Sequence, residues 1–559
     1  MNKITDNNYY DFLVRNINLY LKNFPNGSEI TPINEQVSLL NVKLDQSDAC
    51  ILGNYSYRYF PHLYTLTSSI ATESSGITSV QNNPSLNLYG RGTIIGVIDT
   101  GIDYRHPAFR YSDGSSRILS IWDQTVQESL STAQVAYGTE YSREQLNEAL
   151  FSDDPLSIIP TTDSNGHGTA IASIIAGSPD PETSFSGITP AAELVIVKLK
   201  EAKQNLKDVW FVPEDVLCYQ ESDILFGMSY LVSVSQKLRR PLSICIALGS
   251  NQGIHDGISA TSMYASFLSR IAGISVVVSA GNEGNSQRHY FNFVNQEPYY
   301  DDIELRIGEK EKRFSMEIWP FVSGSLSITI TSPNNETTRQ IFPSLNDCRE
   351  FDFVFSGTTI WVNNITFEQG TGNQLIVIRF DNPLPGVWTL HLQSTYNEFF
   401  SFHSWLPAGN LISDETYFLN SDPDTTITSP GNGSSQLTVT AYNQFNGSLL
   451  IKSGRGYTKS GLVKPDVAAP GFELPCALPD NRYGTITGSG AAAAHTTGSV
   501  AMVMEWAIVR NNYINMTGID ITTLIQRGAN RTITDNYPNN RYGYGRLSID
   551  GVFQRIANL

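Results

Sequence analysis

Two short runs carry residue types that could do chemistry. In VIDTGID, residues 97–103, Asp99 closes an apolar run just before Gly101. In DSNGHGT, residues 163–169, His167 stands between two glycines and leads into AIASIIAG, whose small residues permit close helix packing. A carboxylate and an imidazole are the groups that move and steer protons in general acid–base chemistry. Taken alone, each has a plainer reading: Asp99 as the cap of a turn, His167 as a helix N-terminal or core residue. Two later runs extend the set. SAGNEGN at 279–285 contains Asn282, and Ile486-Thr487-Gly488-Ser489-Gly490-Ala491 is a Gly-rich turn entering an Ala-rich helix.

These residues need elements to hold them. The runs TIIGVID (93–99), ELVIVKL (193–199), PLSICIAL (241–248) and ISVVVSA (274–280) are nearly continuous Val and Ile. Such runs are strands buried on both faces, which predicts a parallel sheet with helices on both sides. Asp99 then lies at the carboxyl end of a strand, the edge where sites collect in open α/β sheets. Between about Tyr299 and Asp424 the texture alternates, as in IELRIG, FSMEIW, SLSITIT, NQLIVIRF and GVWTLHLQS. Period two predicts an antiparallel β-sandwich insert. The α/β texture returns at SQLTVTAYN and runs through the apolar helix AAAAHTTGSVAMVMEWAIV. The opening residues mix helical and strand spacing and end in the Ser/Thr-rich patch ATESSGITS. The expected units are thus a leading α+β domain over 1–80, an α/β domain in two parts over 81–298 and 426–559, and the β insert over 299–425.

The chain has 559 residues, with 40% hydrophobic and 16% charged side chains, a folded composition that excludes general disorder. Its formal charge of −17 repels phosphate backbones, so a nucleic-acid role is not expected. No run approaches the roughly 18 apolar residues of a membrane span, and the opening segment has no apolar signal-peptide core. The reading is therefore no membrane span and synthesis without a signal peptide. Five scattered cysteines, Cys50, Cys218, Cys245, Cys348 and Cys476, read as separate buried thiols.

The order Asp99, His167, Asn282 and a final Gly-rich turn into a helix resembles the subtilisin-like serine proteases, the subtilases. The resemblance implies that Asp99 orients the imidazole and His167 is the general base. It likewise implies that Asn282 donates to the oxyanion, and that Ala247, Leu248 and Gly249 form the strand beside which substrate lies. In that chemistry a neutral imidazole removes a hydroxyl proton, and the carboxylate fixes its tautomer and stabilises the resulting cation. The runs at 80–110, 115–125 and 459–471, with the β-rich insert, are similar to the Csp group of clostridial spore subtilases, from about Val80 onward. That resemblance implies a subtilisin-like sheet, an N-terminal prodomain acting as an intramolecular chaperone, and a jelly-roll insert. Active members of the group activate the zymogen of a cortex-degrading hydrolase. Degenerate members, called CspA and CspC, are regulators linked to germinant and co-germinant signals.

The nucleophile's turn departs from the family, which reads Gly-Thr-Ser where this chain has Gly488-Ser489-Gly490. Aligning the glycine and the Ala-rich helix puts Gly490 at the nucleophile's position. One helical position rotates about 100°, so Ser489 is expected to point away from His167 and to cap the helix. The chain is thus expected to be a pseudoprotease with the degenerate triad Asp99, His167 and Gly490. It would regulate germination in the spore cortex or coat by relaying a germinant or co-germinant signal to an active Csp protease; the alternative is a weakly active endopeptidase that processes the hydrolase zymogen. Expected partners are other Csp proteins or that zymogen, with a small-molecule germinant as a further candidate; no cofactor, metal or nucleic acid is expected. An uncut leading domain should keep its linker, placed near Ser74 to Val80, in or near the groove beside Leu248 and Gly249. Restoring Ser at Gly490 is expected to return little activity, because nothing would hold the turn to oxyanion geometry.

Other charged runs have plain readings. Asp153-Asp154 and Asp422-Pro-Asp424 lack the spacing of a calcium loop. Lys452, Arg455 and Lys459 read as a solvated basic loop, and His495 as a helix-packing residue.

Overall fold

The computed structural model describes residues 2–15, 27–44, 49–71, 87–127, 135–183, 185–321 and 325–557. Its centre is an eight-stranded sheet. In spatial order the strands are Val467–Pro470, Leu437–Tyr442, Ile274–Ser279, Leu242–Ile246, Ile94–Asp99, Glu193–Lys198, Ile118–Asp123 and Thr139–Ser142. All neighbours are parallel except the last pair. The Val/Ile runs are continuous because alternate residues fill two cores. Ile95, Val97 and Ile196 pack with the helices His167–Ala176 and Ser489–Met504, while Ile94, Ile98 and Val197 pack with Glu221–Leu238 and Ala260–Leu268. This is the expected parallel sheet covered on both faces.

The insert is the expected antiparallel sandwich. A six-stranded sheet running from His289–Val294 at one edge to Arg349–Phe353 at the other faces a four-stranded sheet, and Ile303, Phe314, Ile378, Trp388 and Phe402 fill the space between them. Its first strand, His289–Val294, precedes the boundary drawn at 298/299. Alternation is weak there because exposed Phe291 and Phe293 occupy the outward positions.

The leading domain contributes a three-stranded antiparallel sheet in the order Tyr9–Arg15, Val37–Lys43, Glu29–Pro32. It shares one core with both other units, where Phe12, Tyr57 and Phe60 meet Trp210 of the α/β domain and Trp319 and Trp405 of the insert. This packing overturns one expectation. Cys50 and Cys348 form a disulfide across 298 residues, tying the leading domain to the insert. The sequence hides the pair because only three-dimensional packing brings it together. Cys218, Cys245 and Cys476 are free and buried. Thiol titration of the unfolded, unreduced protein should therefore find three reactive groups, and five after reduction. Five before reduction would exclude the bridge.

Candidate functional site

Asp99 ends the strand Ile94–Asp99 and His167 begins the helix His167–Ala176. His167 Nδ1 lies 2.8 Å from Asp99 Oδ1, and both side chains are buried. Local chemistry sets this approach. Gly166 adopts φ 85°, a left-handed turn that favours glycine. A Cβ on Gly168 would stand 2.2 Å from the Gly101 carbonyl oxygen, so only glycine lets the helix start approach the Asp99 strand. Asp163, which the sequence reading passed over, fastens the turn. Its Oδ1 accepts from Gly166 N and Thr100 Oγ1, and its Oδ2 from Thr169 N and Oγ1, at 2.6–2.9 Å. His167 Nε2 is buried and has no hydrogen-bond partner among the described residues.

Asn282 and Gly490 converge on a single carbonyl. Asn282 Nδ2 donates to Thr67 O at 2.6 Å and Gly490 N donates to the same oxygen at 3.1 Å. Gly490 sits in the first turn of the helix Ser489–Met504, whose exposed amides and dipole favour a partial negative charge at that end. Gly488, at φ 141°, brings the turn so close that a Cβ there would meet Thr67 O at 2.5 Å. A Cβ on Gly490 would meet Ser68 Oγ at 2.3 Å. Ser489 is bound elsewhere: its amide and hydroxyl both donate to Asn282 Oδ1 at 3.1 Å.

The Thr67 carbonyl arrives on an extended segment of the leading domain. Leu63–Leu66 pairs antiparallel with Leu248–Gly249 and with Tyr219–Gln220, and Thr67 N donates to Ala247 O at 3.1 Å. Past the carbonyl, Ser69–Ala71 pairs antiparallel with Arg482–Thr487. The backbone thus passes unbroken through a groove edged by Ala247, Leu248 and Gly249, with the Thr67–Ser68 peptide at the Asn282 and Gly490 donors. The linker segment Ser74 to Val80 lies outside the described residues, and the groove is filled by residues nearer the N-terminus. Backbone pairing recognises this segment, so no side-chain signature marked it. A cleft of about 630 Å³ adjoins Thr67, Ser68 and Asn282 and is walled on its far side by Ala408 to Asp414 of the insert.

Chemically, the arrangement polarises one peptide carbonyl with two donors and holds an oriented imidazole. Residue 490 has no side chain with which to attack. The donor geometry also removes the reason for expecting the turn to be unable to support catalysis.

The remaining singled-out residues divide. Burial pushes His495 down to about 4, so it packs as a neutral imidazole. Lys452 is exposed, near Asp414 at 3.6 Å. Lys459 is not solvated as expected: its Nζ lies 3.9 Å from the centre of the Phe321 ring, and burial pushes it down to about 7. Among the described residues no three His, Cys, Asp or Glu side chains are grouped to hold a metal, and no helix is long and apolar enough to cross a membrane.

A sequence profile of the Subtilase family matches residues 90–377 and 407–545. The structure of the Clostridium perfringens CspB protease aligns with a TM-score of 0.76 and 29% identity, covering 86% of this chain and 97% of that one. The C5a peptidase of Streptococcus pyogenes is 20% identical over 489 residues, 81% of this chain and 38% of its own. A PII-type proteinase of Lacticaseibacillus paracasei is 26% identical over 230 residues, 40% of this chain and 11% of its own. This chain therefore spans well under half the length of these curated relatives.

Proposed function

The chain belongs to the subtilase family and resembles its Csp type, and from that premise we propose that it is a pseudoprotease whose groove stays filled by its own leading segment. The observation that carries this reading is the pairing of the Asn282 and Gly490 donors on the Thr67 carbonyl with a glycine in the nucleophile's position. A protease with a working hydroxyl there would cut this bond. Ser489 does not supply one, because its hydroxyl is given to Asn282. No observation favours the weak endopeptidase.

Such a protein acts by binding. On the Csp resemblance its place is the bacterial spore, where it relays germinant or co-germinant signals to an active Csp protease that activates a cortex hydrolase. Its partners are then other Csp proteins or that zymogen. The test pairs chemistry with genetics. A fluorophosphonate probe should leave the purified chain unlabelled, and spores lacking the protein should regain their germinant response equally with the wild type or the His167→Ala form. Labelling lost in Ser489→Ala, or failure of His167→Ala at normal protein levels, would contradict the reading.

A further inference from the structure

A second cavity, of about 310 Å³, opens where the three units meet, and no residue of the catalytic set lines it. The leading domain brings Arg15, Arg58 and His62 to its wall, the α/β domain brings Asp256, and the insert brings Trp319 and Glu368. Two of these side chains are more than nine-tenths buried yet incompletely bonded. His62 is 7% exposed and its Nδ1 has no hydrogen-bond partner; Glu368 is 4% exposed and its Oε1 has none. Glu368 Oε2, by contrast, accepts from Gly370 N and Thr371 N at 2.8 Å, so the carboxylate is anchored with one oxygen free. A buried acceptor left unsatisfied is costly, more so when charged, and calls for a partner that supplies the missing donor.

The cationic wall is equally incomplete. Among the described residues, neither Arg15 nor Arg58 has a carboxylate within ion-pairing distance. Burial and the positive charge of Arg58 hold Arg15 below its ordinary value, against the opposing charge of Glu221, which also lines the cavity. On the acidic side burial raises Asp256; the Ile258 amide and the charge of Lys459 oppose this, and Glu368 adds to it. Glu221, 4.0 Å from His62 Nδ1, offsets part of the positive wall and Lys459 part of the acidic one, which leaves Arg15, Arg58 and the unbonded Oε1 of Glu368 to meet a ligand's opposite charges.

We propose that this cavity binds a small zwitterion, its anionic group held by Arg15 and Arg58 and its cationic donor by Glu368 and Asp256, against the Trp319 face. The volume suits a ligand of amino-acid size. A ligand seated there touches all three units at once and so favours their docked arrangement. The inference does not depend on the catalytic reading.

The test uses the full chain and ω-amino acids of graded length, β-alanine, 4-aminobutyrate and 5-aminovalerate, with butyrate and butylamine as singly charged controls, followed by calorimetry. At least one zwitterion should bind saturably, one per chain and at least tenfold tighter than both controls. Arg58→Gln and Glu368→Gln should each weaken it tenfold or more; Gln at 368 keeps an oxygen for the Gly370 and Thr371 amides, and unchanged melting of each variant confirms folding. Absence of saturable binding by all three, or binding indifferent to both substitutions in folded protein, would overturn the proposal.

Discussion

Gly490→Ser should make the chain cut itself between Thr67 and Ser68. The donors already hold the Thr67 carbonyl, with Asn282 Nδ2 at 2.6 Å and Gly490 N at 3.1 Å, and His167 is already oriented by Asp99. Only the attacking hydroxyl is missing, a deletion that costs about 10⁶ in rate where it has been measured in a subtilase. The new Oγ would attack the Thr67 carbonyl carbon while His167 takes its proton and passes it to the departing Ser68 amine. Water then releases residues 1–67 as a carboxylate. The new Cβ crowds two side-chain hydroxyls, Ser68 Oγ at 2.3 Å and Thr67 Oγ1 at 2.9 Å; Ser68 can turn aside, while Thr67, bonded to Ser279, must give by a small shift. Because Cys50 is bonded to Cys348, the cut piece should separate only on reduction. Adding His167→Ala should abolish the cut, and adding Asn282→Ala should slow it roughly 10²–10³-fold. A folded Gly490→Ser protein that stays whole would show that His167 cannot reach the new hydroxyl.

Glu317→Ala should be among the most destabilising single changes. This buried carboxylate accepts from Tyr57 Oη of the leading domain at 2.8 Å, Gly253 N of the α/β domain at 2.9 Å and Trp319 Nε1 of the insert at 2.9 Å. Removing it strands three buried donors at roughly 1–3 kcal/mol each, a total of about 3–9 kcal/mol. Tyr57→Phe, which removes one bond, should cost about 1–2 kcal/mol. The pH dependence has a definite sign. Burial raises the Glu317 carboxyl above its ordinary 4.5. A group raised in the fold contributes stability that is present below the unfolded value and lost as pH rises through the folded one. The melting advantage of wild type over Glu317→Gln should therefore shrink as pH climbs from about 4.5. An advantage that grows would contradict this environment for the carboxylate.

Much of this architecture is legible in the residues. The core strands announce themselves because Ile94 to Ile98 are buried on both faces, whereas Asp99 and His167, 68 residues apart, are legible as a pair only through the order of motifs that resembles the subtilases. The alternating insert is legible in its middle and unclear at its start, where Phe291 and Phe293 face outward. What escapes the sequence depends on distant packing. Cys50 finds Cys348 through a core shared by three units. Lys459 reads as a surface charge until Phe321 covers it. The groove segment is held largely through its own backbone, with Ala247 O, the Asn282 side-chain amide and Gly490 N as partners, bonds that leave little mark on its side chains. Asp163 hides in a motif whose histidine draws the eye, although its four accepted hydrogen bonds are what fix the turn.

The central claim is that the chain leaves its own Thr67–Ser68 bond uncut, and the most direct measurement is the intact mass of the recombinant wild-type chain after reduction. The expected result is one species at 61.8 kDa, unchanged on prolonged incubation. Loss of residues 1–67 in a protease-free preparation, abolished by His167→Ala, would contradict it and show that the site has a nucleophile other than residue 490.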